Sequence, residues 1–193
     1  MVMQSGRVVN VTDPADTTTL PTLQDIAIGL SRINRYGGQT VVPWSVLDHS
    51  FLVAHLTNTR RAATTEACLW ALLHDWHEVL TGDIPSPFKT DSQRELQQVL
   101  DRRLILALAD KGLPLTVEDL KLVHRMDIRA YFAEISVLMP NLLLREIERG
   151  SVQAEDVTRS VKNWGKVIAD ILLMSPKDKI STFEFCFYGG PAW

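Results

Sequence analysis

The chain is expected to fold as an all-α bundle with one small terminal strand pair. Apolar residues recur at three- and four-residue steps through most of its length, helix-start signals precede several of those stretches, and period-two alternation is confined to the two ends. At the N-terminal end, a Val-rich run from Arg7 to Val11, closed by Asp13-Pro14, reads as a short strand and a turn. Thr22 can cap a first helix reaching about Ile33. Ser45, with Asp48 three residues on, resembles a capping box and opens a second helix with the stripe Val46, His49, Val53 and Leu56. A third helix is expected from about Thr65 to Leu80, with Trp70, His74 and His77 at helical steps. The fourth starts near Ser92 and stops at Gly112. Thr116 begins the fifth, which carries Leu120, Val123, Asp127, Ala130 and Glu134 on one side until Pro140 interrupts. One or two further helices are expected between Asn141 and Met174. Thr182 to Tyr188 alternates Phe183, Phe185 and Phe187 with Glu184 and Cys186, a strand-like period that could pair with the first strand.

With 193 residues, the chain suits one domain over 1–193, large enough to bury roughly two-thirds of its unfolded surface without a disulfide or structural metal. Hydrophobic residues at 46% and charged residues at 22% are the balance of a globular protein. The apolar runs are too short to span a bilayer, and Met1 is not followed by a signal-peptide pattern, so a cytoplasmic protein is expected. Cys68 and Cys186 form neither a metal-binding spacing nor a disulfide framework, and both are expected reduced and partly buried. A net charge of −3 argues against gripping a nucleic acid polymer, which needs a concentrated basic surface. A small anionic ligand needs only a few placed cations. The expected partners are a small molecule, with no membrane and no nucleic acid polymer, and a homo-oligomer is expected.

Three polar residues fall on stripes that periodicity assigns to the core: His49 between Val46 and Val53, His74 after Trp70 and Leu73, and Asp127 between Val123 and Ala130. An unpaired buried carboxylate is costly and must find a partner or become neutral. Each residue taken alone reads more readily as a satisfied core group, a histidine bonded to a backbone carbonyl or an aspartate paired with Arg125 or Arg129. Together with Asp75, they make two imidazoles and two carboxylates from three helices, a donor set suited to a divalent ion such as Mn²⁺, Co²⁺, Fe²⁺, Zn²⁺ or Mg²⁺. Adjacent helical residues point about 100° apart, so His74 and Asp75 can flank one ion only where their helix end meets neighbouring helices. Glu78, four residues after His74 and three after Asp75, could orient or deprotonate a water there, or could be a solvated helix-end charge.

His77-Glu78 suggests a zinc-peptidase motif, but position 81 is Thr where a second histidine is required. No Gly-rich loop ends in Lys-Ser or Lys-Thr, so a P-loop has no support. Arg35, between Asn34 and Tyr36-Gly37-Gly38, is expected just past a helix end, in a loop that the glycines let approach a ligand. Its guanidinium could hold phosphate oxygens and Tyr36 could stack on a base; a surface salt bridge and a packed tyrosine are the alternative. Lys89, after the two prolines of Ile84 to Phe88, is a further phosphate candidate.

The order of His49, the pair His74-Asp75 and the distant Asp127 resembles the HD superfamily. The run ALLHDWHEVLTGDIPSPFK, Ala71 to Lys89, is similar to the motif of bacterial HD-domain 5′-deoxynucleotidases. The run SRINRYGGQTVVPWSVLDHSFLVAH, Ser31 to His55, resembles that group and small phage-encoded HD-domain deoxyadenosine triphosphatases. This resemblance, over roughly Leu23 to Glu134, implies an HD-domain helical bundle holding one divalent metal ion with His49, His74, Asp75 and Asp127. It implies Glu78 as the catalytic carboxylate, Asp83 near the sugar, Arg35 on the ligand, and Tyr36 where those enzymes often carry Trp. The implied reaction is metal-activated attack of water on phosphorus of a deoxynucleotide. A dATP-type triphosphohydrolase is preferred; a 5′-monophosphate nucleotidase, a phosphodiesterase and a non-catalytic nucleotide-binding HD domain are the alternatives.

Overall fold

The computed structural model describes residues 1–11, 13, 16, 18–151 and 153–188, and among them the secondary structure is helical. The helices are α1 (Leu23–Arg32), α2 (Val46–Asn58), α3 (Thr65–Leu73), α4 (Glu78–Thr81), α5 (Asp91–Asp110), α6 (Val117–Leu138), α7 (Pro140–Glu148), α8 (Ala154–Leu173) and α9 (Pro176–Phe187). Short 3₁₀ turns cover Arg35–Gly38 and Ser86–Phe88.

Local chemistry sets the starts. Thr22, Ser45, Thr90 and Thr116 each accept from the backbone N–H three residues on, while the side chain at that third position bonds back to the cap, satisfying two otherwise unpaired donors. α2 lies at the centre, buried along nearly its whole length, and packs against α1, α3, α6 and α8. Lys179 of α9 reaches the capping carboxylate of α2, with Nζ 2.6 Å from Asp48 Oδ1, and so ties the C-terminal helix to the start of the central one.

The third helix ends earlier than periodicity suggests. Beyond Leu73 the backbone changes to i→i−3 bonds, from Trp76 N–H to Leu73, Glu78 to Asp75, Val79 to Trp76 and Leu80 to His77. This tighter winding brings residues three apart into line, so Asp75 and Glu78 share one face. Gly29 of α1 permits the elbow to seat: a Cβ there would stand 2.6 Å from Val79 Cγ1.

The terminal strand pair does not form. Thr182 to Tyr188 lies almost wholly in α9, begun by Ser175, which accepts from Asp178 N–H, and by Pro176 in the first turn. The phenylalanine spacing is met by an i,i+4 contact, with the Phe183 and Phe187 rings 5.4 Å apart, while Phe185 is exposed. At the other end, Val2 and Val8 form only an isolated bridge, and the Pro14 of the expected turn lies outside the described residues. No helix among the described residues is long and apolar enough to cross a membrane.

Candidate metal centre

Helices α2 and α6 and the elbow after α3 bring four side chains to one point. His49 Nε2 lies 3.3 Å from His74 Nε2, 3.1 Å from Asp127 Oδ1 and 3.6 Å from Asp75 Oδ2. His74 Nε2 is 3.3 Å from Asp75 Oδ2 and 3.9 Å from Asp127 Oδ1. Asp127 therefore faces the two histidines, not Arg125 or Arg129.

The outer nitrogens fix which atoms point inward. His74 Nδ1 lies 2.8 Å from the Ala71 carbonyl, which can only accept, so Nδ1 carries the proton and Nε2 faces the cluster. His49 Nδ1 donates to Glu134 Oε1 at 2.6 Å, with the same consequence. Two inward Nε2 atoms beside two carboxylates form an acceptor-rich cluster that needs a cation or shared protons between them. Burial disfavours protonation of both rings, yet the neighbouring carboxylates overcome it, raising His74 to about 9 and raising His49 as well. Burial likewise opposes ionisation of Asp75 and Asp127, but the histidines hold both below the usual carboxylate range, with Arg35 adding to the effect on Asp75. The donor set fits a divalent cation, with each imidazole oriented by a hydrogen bond through its outer nitrogen.

Glu134 is the residue that periodicity alone left unexplained. Fully buried on α6, it bonds His49, accepts from Trp44 Nε1 at 2.9 Å and from the Tyr36 hydroxyl, and pairs with Arg35 Nε at 3.3 Å. Burial would raise its pKa, but Arg35 and His49 bring it to about 2. The only advance signal was a carboxylate on the core-facing stripe of a helix, seven residues after Asp127.

A cleft of about 760 Å³ opens over the cluster. Asp75, Asp127, Glu78, Asp83, Arg35, Tyr36 and Lys89 all line it, so every expected site residue except His49 and His74 reaches its wall. Glu78 is 3% exposed and its Oε2 has no hydrogen-bond partner among the described residues. Burial first, then Asp75 and Asp83, push its carboxyl up to about 9. Arg35 is held by Asp75, 3.4 Å from its Nη1, as well as by Glu134 at Nε, and Tyr36 takes a left-handed backbone conformation, φ 57°. Lys89 Nζ sits 3.2 Å from Gln97 Oε1. His77 has Nδ1 3.2 Å from Asp101 Oδ1, and it offers a ring nitrogen within 4.8 Å of carboxylate oxygens of Asp75 and Glu78. Arg94, His124, Tyr131 and Leu142 also line the cleft, and sequence reasoning had singled out none of them.

Residues 25–103 match the family model described as 5′-deoxynucleotidase YfbR-like. In this stretch the chain resembles the HD phosphohydrolases. It holds both histidines, Asp75 and Glu78, whereas Asp127 lies beyond it and joins them only through the packing of α6 on α2. The chain is 33% identical over 88 residues to a protein named dATP triphosphohydrolase from Cyanophage S-2L, covering 42% of this chain and 50% of that protein. It is 34% identical over 115 residues to an uncharacterized protein of Rhodobacter capsulatus, covering 58% of each. The chain thus spans about half the length of the curated relatives it matches. Among solved structures, it is similar to the Cyanophage S-2L HD phosphohydrolase DatZ bound to dA and one catalytic Zn²⁺ ion, with a TM-score of 0.49, 21% identity, and coverage of 78% of this chain and 98% of that one.

Proposed function

We propose that the chain is a metal-dependent phosphohydrolase of deoxynucleotides, with His49, His74, Asp75 and Asp127 holding one divalent ion. The observation that carries this reading is the meeting of His49, His74 and Asp127 ligand atoms within 4.8 Å of one another, with Asp75 Oδ2 3.6 and 3.3 Å from the two Nε2 atoms, beside a cleft that also presents a buried carboxylate, Glu78. A bound divalent cation supplies polarisation of a phosphoryl oxygen and a more acidic water. Glu78 handles the proton. Water oxygen bonds to phosphorus, the bond from phosphorus to the 5′-oxygen breaks, and the proton passes through Glu78 to the departing 5′-oxygen. Arg35 uses the edge of its guanidinium left over from Glu134 and Asp75, and with Lys89 offsets charge on phosphate. Asp83 stands by the sugar and Tyr36 packs on the nucleoside.

The preferred substrate is a deoxynucleoside triphosphate of the dATP type, supported by the name of the cyanophage relative. The description of the matching family favours the second reading, a 5′-deoxynucleotide monophosphatase. Both reactions break the same bond at the 5′-oxygen and differ in how much phosphate the cleft must hold. Chromatography of products from dATP, dGTP, ATP and dAMP tests the choice. Release of deoxyadenosine with triphosphate supports the first reading, and phosphate released from dAMP alone supports the second. No product from any nucleotide at any metal concentration contradicts both.

A further inference from the structure

Helix α6 carries more of the cleft than its one expected ligand. His124, Asp127 and Tyr131 all line it, at positions i, i+3 and i+7, which is one face of the helix. His124 lies about 4.5 Å of helical rise before Asp127, and Tyr131 about 6 Å beyond it. Lys89 and Arg94 line the same cleft as His124 and supply cationic groups. Tyr131 stands beside Tyr36, with ring centroids 6.5 Å apart and planes inclined by 39°, and Leu142 of α7 also lines the cleft.

This aromatic pair is held in place. Tyr36 is anchored through its hydroxyl to the buried Glu134, and the Tyr131 ring rests edge-on against Phe132 at 5.4 Å. Neither ring lies parallel to the other at a spacing that admits a third ring between them, so the pair forms a corner, not a sandwich. A flat apolar heterocycle laid in that corner loses water on one face and one edge without first ordering either side chain.

We propose that Tyr131 is a specificity-determining residue that packs on the nucleobase, so that the base of the substrate lies in the Tyr36–Tyr131 corner of the cleft. This rests on the nucleotide reading above and adds to it a base contact. A tyrosine that merely packs in the wall would affect every substrate alike. One that holds the base affects only substrates that have a base.

The test compares full-length wild type, Tyr131→Ala, Tyr131→Leu and Tyr131→Phe, loaded with Mn²⁺, on dATP and on 2-deoxyribose 5-triphosphate, which lacks a base. Tyr131→Ala is expected to raise KM for dATP on the order of 10- to 100-fold, the usual effect of losing an aromatic face under a base. Tyr131→Phe should restore it, Tyr131→Leu should resemble Ala while keeping the wall filled, and kinetics on the abasic compound should be the same for all four. Equal losses on both compounds, or an unchanged KM for dATP in Tyr131→Ala and Tyr131→Leu, would overturn the assignment. If wild type turns over no nucleotide, the hydrolase reading fails separately. Calorimetric binding of dATP to the Mn²⁺-loaded proteins then decides Tyr131: weaker binding in Ala and Leu but not in Phe supports it, and equal binding overturns it.

Discussion

Glu134 Oε1 lies 2.6 Å from His49 Nδ1, joining α6 to α2 through two groups that are both fully buried. The same carboxylate takes Trp44, Tyr36 and Arg35, so one acid aims the first histidine, fixes one wall of the cleft and offsets the charge of the arginine. Glu134→Gln keeps the shape and an acceptor for His49 but removes the charge. Metal affinity is expected to fall about 10- to 100-fold, as for other partners of ligating histidines, and the protein to lose stability because Arg35 is left without its buried counter-charge. Calorimetric metal titration and thermal melting check this; unchanged affinity would mean that Glu134 supports the fold but not the ligand.

Glu78 has a different task, and its substitution should separate chemistry from metal binding. Glu78→Gln is expected to retain the ion and bind dATP while losing on the order of 10²–10⁴ in rate, the typical contribution of a positioned acid or base. Metal analysis beside steady-state kinetics distinguishes the outcomes. Loss of the ion in Glu78→Gln would make the residue a ligand or a support.

Away from the cleft, Asp25 sets part of the acid sensitivity of the fold. Burial opposes its ionisation, but hydrogen bonds from the Ser5 hydroxyl and backbone and from Thr22 lower its pKa below 3.8 in the folded chain. A depressed carboxyl stabilises the fold above its unfolded pKa and loses that contribution as pH falls through the folded value. Asp25→Ala should therefore be less stable than wild type at neutral pH, with the gap between their denaturant midpoints narrowing as pH falls below 3.8. A gap independent of pH would assign the loss to the cap geometry alone.

The legible parts of the sequence were those whose chemistry is local. Thr22, Ser45 and Thr116 announce their helices because each cap and its reciprocal partner lie three residues apart, and His49, His74 and Asp127 stand out because they interrupt apolar stripes. What depends on distant contacts was hidden. The helical pattern runs straight through residues 74–77, and the elbow there is seated by α1 through Gly29 and Val79. Glu134 is 85 residues from His49, so nothing in its neighbourhood names its partner. Phe183, Phe185 and Phe187 satisfy a period of two and, through the first and last of them, a step of four as well; Ser175-Pro176 was the discriminating signal. Tyr131 and His124 sit among ordinary surface-spaced residues of α6, and only the cleft selects them.

Metal-dependent turnover tests the central proposal most directly. After stripping with a chelator, the full-length chain should release no product from dATP, and Mn²⁺ should restore turnover as one ion binds per chain, with neither binding nor turnover in Asp75→Ala that retains wild-type helical content. Undiminished product release from the stripped protein, or an Asp75→Ala variant that binds the ion and turns over like wild type, would contradict it.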